Sequence, residues 1–132
     1  MFCGDDDLIP LDMIPTCKEN HRKLITTRVS DAKRLGVPFI LPEFGACSDS
    51  LNCALEIRAL TESADESVVG WAYWSYKEFN DPTTVAGDLQ EGLFHKNGSL
   101  QELKMKELSR TSVQASQGSL LSQSFNSTTG DF

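Results

Sequence analysis

Basic residues are in short supply. Twelve Lys and Arg stand against nineteen Asp and Glu in 132 residues, a formal charge of −7. Phosphate binding needs clustered cations, so the deficit argues against a nucleic-acid partner. It argues equally against electrostatic docking on an anionic membrane. No apolar run approaches the length of a transmembrane helix. Met1-Phe2-Cys3-Gly4-Asp5-Asp6-Asp7 lacks the basic start and the apolar stretch of a signal peptide. A chain whose leader lay upstream would read the same way. Histidine is scarce: His21 and His95 lie far in sequence from Cys3, Cys17, Cys47 and Cys53, and no two cysteines form a C-x-x-C pair. A zinc site is therefore not expected. Nor is the composition that of a disordered chain, with 39% apolar and 23% charged residues.

An acidic globular chain of this length suits a neutral ligand, and carbohydrate is one. Two sequons, Asn97-Gly98-Ser99 and Asn126-Ser127-Thr128, fit a secretory route. Cys47 and Cys53 are close enough in sequence to staple a loop, or to remain as buried thiols.

Along the chain, residues 1–15 are acidic, contain Pro10 and Pro15, and read as loop. Thr16 stands three residues before Glu19, a capping-box spacing. It opens a helix expected from about Cys17 to Leu35, with Leu24, Ile25, Val29, Ala32 and Leu35 near helical spacing and Gly36 as the stop. Val37-Pro38-Phe39-Ile40-Leu41 reads as a strand buried on both faces, as in a parallel sheet. A second helix is expected from Leu51 to about Asp65, with Leu51, Ala54, Leu55 and Leu60 facing inward. Val68 to Tyr76 reads as a second strand. Lys77 to Gly92 is a long loop with a turn at Asn80-Asp81-Pro82. Ser99 and Glu102 open a third helix expected to reach about Ala115. The tail from Ser119 to Phe132 is polar, either disordered or the start of another unit. This order is the grammar of an α/β fold with a parallel sheet. Two strands with three helices suggest a piece of a larger α/β layer or barrel.

Strand alternation puts Phe39, Leu41 and Glu43 on one side of the first strand, and Gly70, Ala72 and Trp74 on one side of the second. If both sides face a barrel interior, Glu43 and Trp74 emerge together at the rim where barrel enzymes keep their active sites. A carboxylate beside an indole is what a sugar site needs: one attacks the anomeric carbon, the other packs on the pyranose face. On spacing alone, Glu43 reads more often as a solvated or capping strand end than as a nucleophile, and Trp71 and Trp74 more often as core than as a platform.

Pro38 to Cys47, then Cys53 and Glu56, then Gly70-Trp71-Ala72-Tyr73-Trp74-Ser75-Tyr76-Lys77 resemble glycoside hydrolase family 5, in its endoglycoceramidase and glucosylceramidase branch. The likeness continues through Asp81-Pro82-Thr83-Thr84, Gly92-Leu93-Phe94 and Leu108-Ser109-Arg110-Thr111. It spans roughly residues 16–118, and Ser124 to Phe132 is similar to the opening of the β-domain that follows. The resemblance implies a partial (β/α)8 TIM barrel, truncated to about strands 7 and 8 with flanking helices. Residues 1–15 would then be a remnant of the preceding segment, and 119–132 the start of a C-terminal domain. It implies Glu43 as nucleophile, Trp74 and Lys77 as substrate contacts, and Cys47 with Cys53 as a disulfide bracing the loop after the nucleophile. It implies retaining hydrolysis of a β-glycosidic bond on a carbohydrate or glycolipid such as a glycosylceramide, with no metal or organic cofactor, in a secreted or lysosomal parent. The family's acid/base is the Glu of an Asn-Glu-Pro stretch, which this sequence lacks. Pro42 stands where the family often has Thr, and Ser112 and Ser116 replace bulkier residues. The isolated chain is therefore expected to be inactive. The rival readings are a non-catalytic interaction fragment, or a barrel acting on β-glucans or simple glucosides.

Overall fold

The structure, a computed structural model, describes residues 11–82 and 91–132. The acidic opening segment with Cys3, and Thr83 to Gln90 of the long loop, lie outside the described residues. After a 3-10 turn at Leu11–Met13 come α1 (Ile14–Leu35), β1 (Ile40–Leu41), α2 (Leu51–Glu66), β2 (Gly70–Trp71) and α3 (Glu102–Leu108).

Helix α1 starts on Pro15, whose missing N–H costs nothing in a first turn, rather than on a Thr16 cap. It ends at Gly36 (φ 70°), where the N–H groups of Gly36 and Val37 satisfy the carbonyls of Lys33 and Ala32. Lys33 and Arg34 add positive charge where the helix dipole is negative. Helix α2 is capped by Ser50, whose hydroxyl accepts from Cys53 N–H at 3.2 Å.

Helix α2 is the centre of the molecule, packing on α1, α3 and β2. Its Leu60 and Ala64 join Ile25 of α1 and Val69 in one apolar cluster, with Val29, Phe39, Leu41, Phe44 and Trp71 packed around it. Its Cys53 and Ile57 form a second cluster with Cys47, bordered by Phe44, Tyr73 and Leu108. Phe44 belongs to both, and meets Trp71 and Tyr73 edge to face with centroids 5.6 and 5.8 Å away. Such contacts add to burial because the ring edge is positive and the face negative.

The barrel expectation is overturned. The described residues form three helices and a single two-stranded parallel sheet, mostly helical, with Ile40 opposite Gly70 and Leu41 opposite Trp71. Each strand keeps only two of its expected residues. The expected facing fails too. Phe39, Leu41 and Trp71 turn to the helices, whereas Ile40, Gly70 and Ala72 face solvent. Alternation then breaks at Pro42, since Pro42 and Glu43 are both exposed. Helix α3 stops at Leu108 instead of near Ala115, and its first turn has no Ser99 cap. Leu24, Leu35 and Leu51, expected inside, are exposed.

The tail packs back onto α2. Asp65, buried on α2, accepts from Arg110 Nη2 at 2.5 Å and from Gln123 Nε2 at 2.9 Å. Arg110 also donates to the Phe125 carbonyl at 3.2 Å, and its guanidinium lies 5.0 Å over the Phe125 ring. Arg58 grips Glu107 through two bonds, 2.9 and 2.6 Å, and Ser127 donates to the same carboxylate at 2.5 Å. Burial pushes the Glu107 carboxyl up, but the bonds from Arg58 and Ser127 outweigh it and hold the group below the usual carboxylate range.

Candidate functional site

Beyond β1 and β2 the two chains stay side by side for several residues. Ala72 N–H donates to Leu41 O at 2.9 Å, and Trp74 N–H donates to Phe44 O at 2.9 Å. Glu43 sits between those two bonds, exposed, at the point where β1 gives way to loop. The sheet thus brings the backbones of Glu43 and Trp74 to one end, although they lie far apart in sequence. Lys77 is exposed further along, its ammonium 5.3 Å over the Phe79 ring.

The loop after Glu43 is held from both sides. Gly45 has φ 104°, and a Cβ there would fall 2.1 Å from Tyr73 Cε2, so only glycine fits. Tyr73 Oη donates to Gly45 O at 3.3 Å and to Glu91 O at 3.0 Å. Burial, then the nearby Glu91 and Asp49, lift the Tyr73 phenol well above its ordinary value. Cys47 and Cys53 form a disulfide, Cα atoms 5.8 Å apart, which ties the loop to the first turn of α2. Cys17 is disulfide-bonded as well.

On the other strand, Trp74 Nε1 donates to Glu91 Oε2 at 2.9 Å, and Ser75 N–H donates to Glu91 O at 3.3 Å. The Trp74–Ser75 peptide is cis. Glu91 is 4% exposed and Lys104 fully buried. Burial brings Lys104 down to about 8, against the opposing pull of Asp49, Glu91 and Glu78. His95 Nε2 lies 3.4 Å from Asp49 Oδ2. Trp74, Glu91, Asp49 and Lys104 are therefore neighbours, with Glu91 and Lys104 buried and the other two half-buried.

Sequence reasoning did not find Glu91, Asp49 or Lys104. The available signal was the spacing Gln101, Lys104, Glu107, a polar stripe at helical period along α3, which proves to be its buried face. His21 and His95 are partly buried, with His21 Nε2 3.3 Å from Glu56 Oε1.

Two concavities lie elsewhere. A cleft of about 760 Å³ separates α2 from the tail, lined by Arg58, Glu62, Asp65 and Ser124 to Thr129 among others. A second, of about 460 Å³, lies between Val68–Trp71 and Arg110–Val113. Neither is lined by Glu43, Trp74 or Lys77. Among the described residues, no group of three or more His, Cys, Asp or Glu is placed to hold a metal ion. No helix among them is long and apolar enough to cross a membrane. Compared with known protein families, curated proteins and solved structures, the chain matches none.

Proposed function

We propose that the chain is part of a retaining β-glycosidase of the glycoside hydrolase family 5 kind, with Glu43 as nucleophile and a glycosylceramide-like glycolipid as substrate. One observation carries the reading: Glu43 is solvent-exposed at the strand end next to Trp74, whose indole is pinned by buried Glu91. In the proposed reaction Glu43 attacks the anomeric carbon and the aglycone oxygen leaves with the bonding electrons. Water then hydrolyses the glycosyl ester with retention. Trp74 offers a platform for the sugar ring, and Lys77 a contact to the glycan. A second carboxyl about 5 Å from the nucleophile must protonate the leaving oxygen, and we assign it to a residue outside this chain. The Cys47–Cys53 disulfide supports a secreted or lysosomal setting.

The test separates nucleophile from acid/base. A 2-deoxy-2-fluoro-β-glycoside with a dinitrophenolate leaving group needs no acid and traps the glycosyl ester. Peptide mass mapping should find the label on Glu43, and Glu43→Gln should abolish it. Unlabelled Glu43 at saturating reagent would overturn the proposal. Fluorescent glycosylceramide should not be turned over by the chain alone; turnover abolished by Glu43→Gln would remove the need for an outside carboxyl.

A second reading, an interaction fragment, is favoured by the exposed apolar side chains of Val37, Ile40, Val68, Tyr76 and Phe79, which flank the strands on both sides in sequence. It requires concentration-dependent association in light scattering, and a monomer at high concentration would count against it.

A further inference from the structure

We propose that Asn97 is an N-glycosylation site, taking an oligosaccharide from a polyprenyl-diphosphate donor. Asn97, Gly98 and Ser99 form an exposed turn closed by the bridge between Phe94 and Leu100. His95 N–H donates to Ser99 O and Gly98 N–H to His95 O, both at 2.8 Å, so the turn is rigid at its base. Asn97 Oδ1 accepts from Ser99 N–H at 3.0 Å and from Ser99 Oγ at 2.7 Å. Two donors on the carbonyl oxygen fix the side-chain amide about its last torsion. The hydroxyl that defines a sequon is thereby in contact with the group to be modified. A Cβ added to Gly98 would meet nothing within 4 Å, so the turn has open space beside the acceptor. The folded chain can carry a glycan at this point without displacing any packed group.

The second sequon is built differently. Asn126 Oδ1 accepts from Thr128 N–H at 2.9 Å and Thr129 N–H at 3.2 Å, and the backbone of Asn126 is bonded to Asp131 and Gly130. Asn126 lines the cleft against α2, and neighbouring Ser127 is anchored on Glu107. Asn126 is exposed as well, but its carbonyl oxygen bonds two backbone N–H groups, where that of Asn97 bonds the Ser99 hydroxyl. The two sequons are therefore not equivalent, and Asn97 is the one assigned.

An independent observation sets the compartment. The Cys47–Cys53 bond needs an oxidising lumen, which is where oligosaccharide transfer takes place. In the reaction the Asn97 amide nitrogen forms a bond to the anomeric carbon of the first sugar and loses a proton. The bond from that carbon to the diphosphate oxygen breaks, and polyprenyl diphosphate leaves with the electron pair.

The full chain, delivered to the lumen of a eukaryotic host behind a cleavable leader, is the test material. Peptide mass mapping after enzymatic deglycosylation in heavy-oxygen water reads each site separately. Labelled Asp at position 97 is expected in wild type and in Ser99→Thr, and none in Ser99→Ala. Comparing the two Ser99 variants keeps the test independent of how well Asn97→Gln folds. Unmodified Asn97 in molecules whose Cys47–Cys53 bond has formed would overturn the proposal, whatever Asn126 carries. So would undiminished modification in Ser99→Ala.

Discussion

The indole N–H of Trp74 donates to the buried carboxylate of Glu91 at 2.9 Å. That bond fixes the ring about its torsions, and the Glu91 backbone carbonyl also holds Tyr73 and Ser75. A platform for a sugar ring must be rigid before the ligand arrives, because ordering it on binding costs affinity.

Glu91→Ala should therefore release Trp74 without unfolding the chain. The expected cost is about 1.5–3 kcal/mol, the range for a hydrogen bond to a charged group. Trp74 has to be read apart from Trp71, so the comparison is made in a Trp71→Phe background. A red shift and lower anisotropy of the Trp74 emission are expected. Unchanged emission would mean that Glu91 does not hold the ring.

Lys104 makes stability depend on alkaline pH. Burial holds it at about 8 against an ordinary value of 10.5. Between those values the unfolded chain binds more protons than the folded one, so stability rises with pH across that window. Below about 8 both states are protonated, and the cost of the buried charge is constant. Tyr73 acts in the opposite sense: its phenol is lifted above 10.0, so stability falls once the unfolded chain ionises there first. Urea denaturation should show a gain of roughly 1–2 kcal/mol between pH 8 and 9.5. Lys104→Met should flatten that rise, and a flat wild-type profile would contradict the burial of a charged amine among Asp49, Glu78 and Glu91.

Asp65 and Arg110 form an ion pair with side chains 6% and 3% exposed. Arg110→Met strands a buried carboxylate and should cost about 3–5 kcal/mol. Replacing both, as Asp65→Leu with Arg110→Met, should recover most of that loss, since the desolvation cost disappears with the charges. Hydrogen exchange should report the same event locally, with faster exchange around Gln123 and Asn126 in the single variant. An equal loss in single and double variants would show that the pair is not the anchor.

Much of the helical frame was legible. Gly36 stops α1 where its left-handed conformation is needed, and Ala54, Leu60 and the Ser50 boundary mark α2 in the sequence. The strands were not legible at their true length. An apolar run such as Val37 to Leu41 signals burial, but Ile40 is 56% exposed here, because strand length depends on neighbours rather than on composition. Helix α3 misled in its facing: Leu103 is 41% exposed while Lys104 beside it is fully buried. A buried lysine is stable only among carboxylates supplied from distant segments, and no local pattern announces them. Strand alternation paired Glu43 with Trp74, and their roles, with that of Lys77, came from resemblance. The structure sets the first two side by side along the backbone and seats Lys77 on Phe79.

The anchoring of the tail has a consequence for how the chain is made. Asp65 waits for Arg110, 45 residues later, and for Gln123, 58 residues later. Until those residues leave the ribosome, α2 carries an unmatched carboxylate in what will become the interior. The central helix therefore cannot settle until Gln123 has emerged. A nascent chain paused before Gln123 would be a substrate for chaperones rather than a folded intermediate.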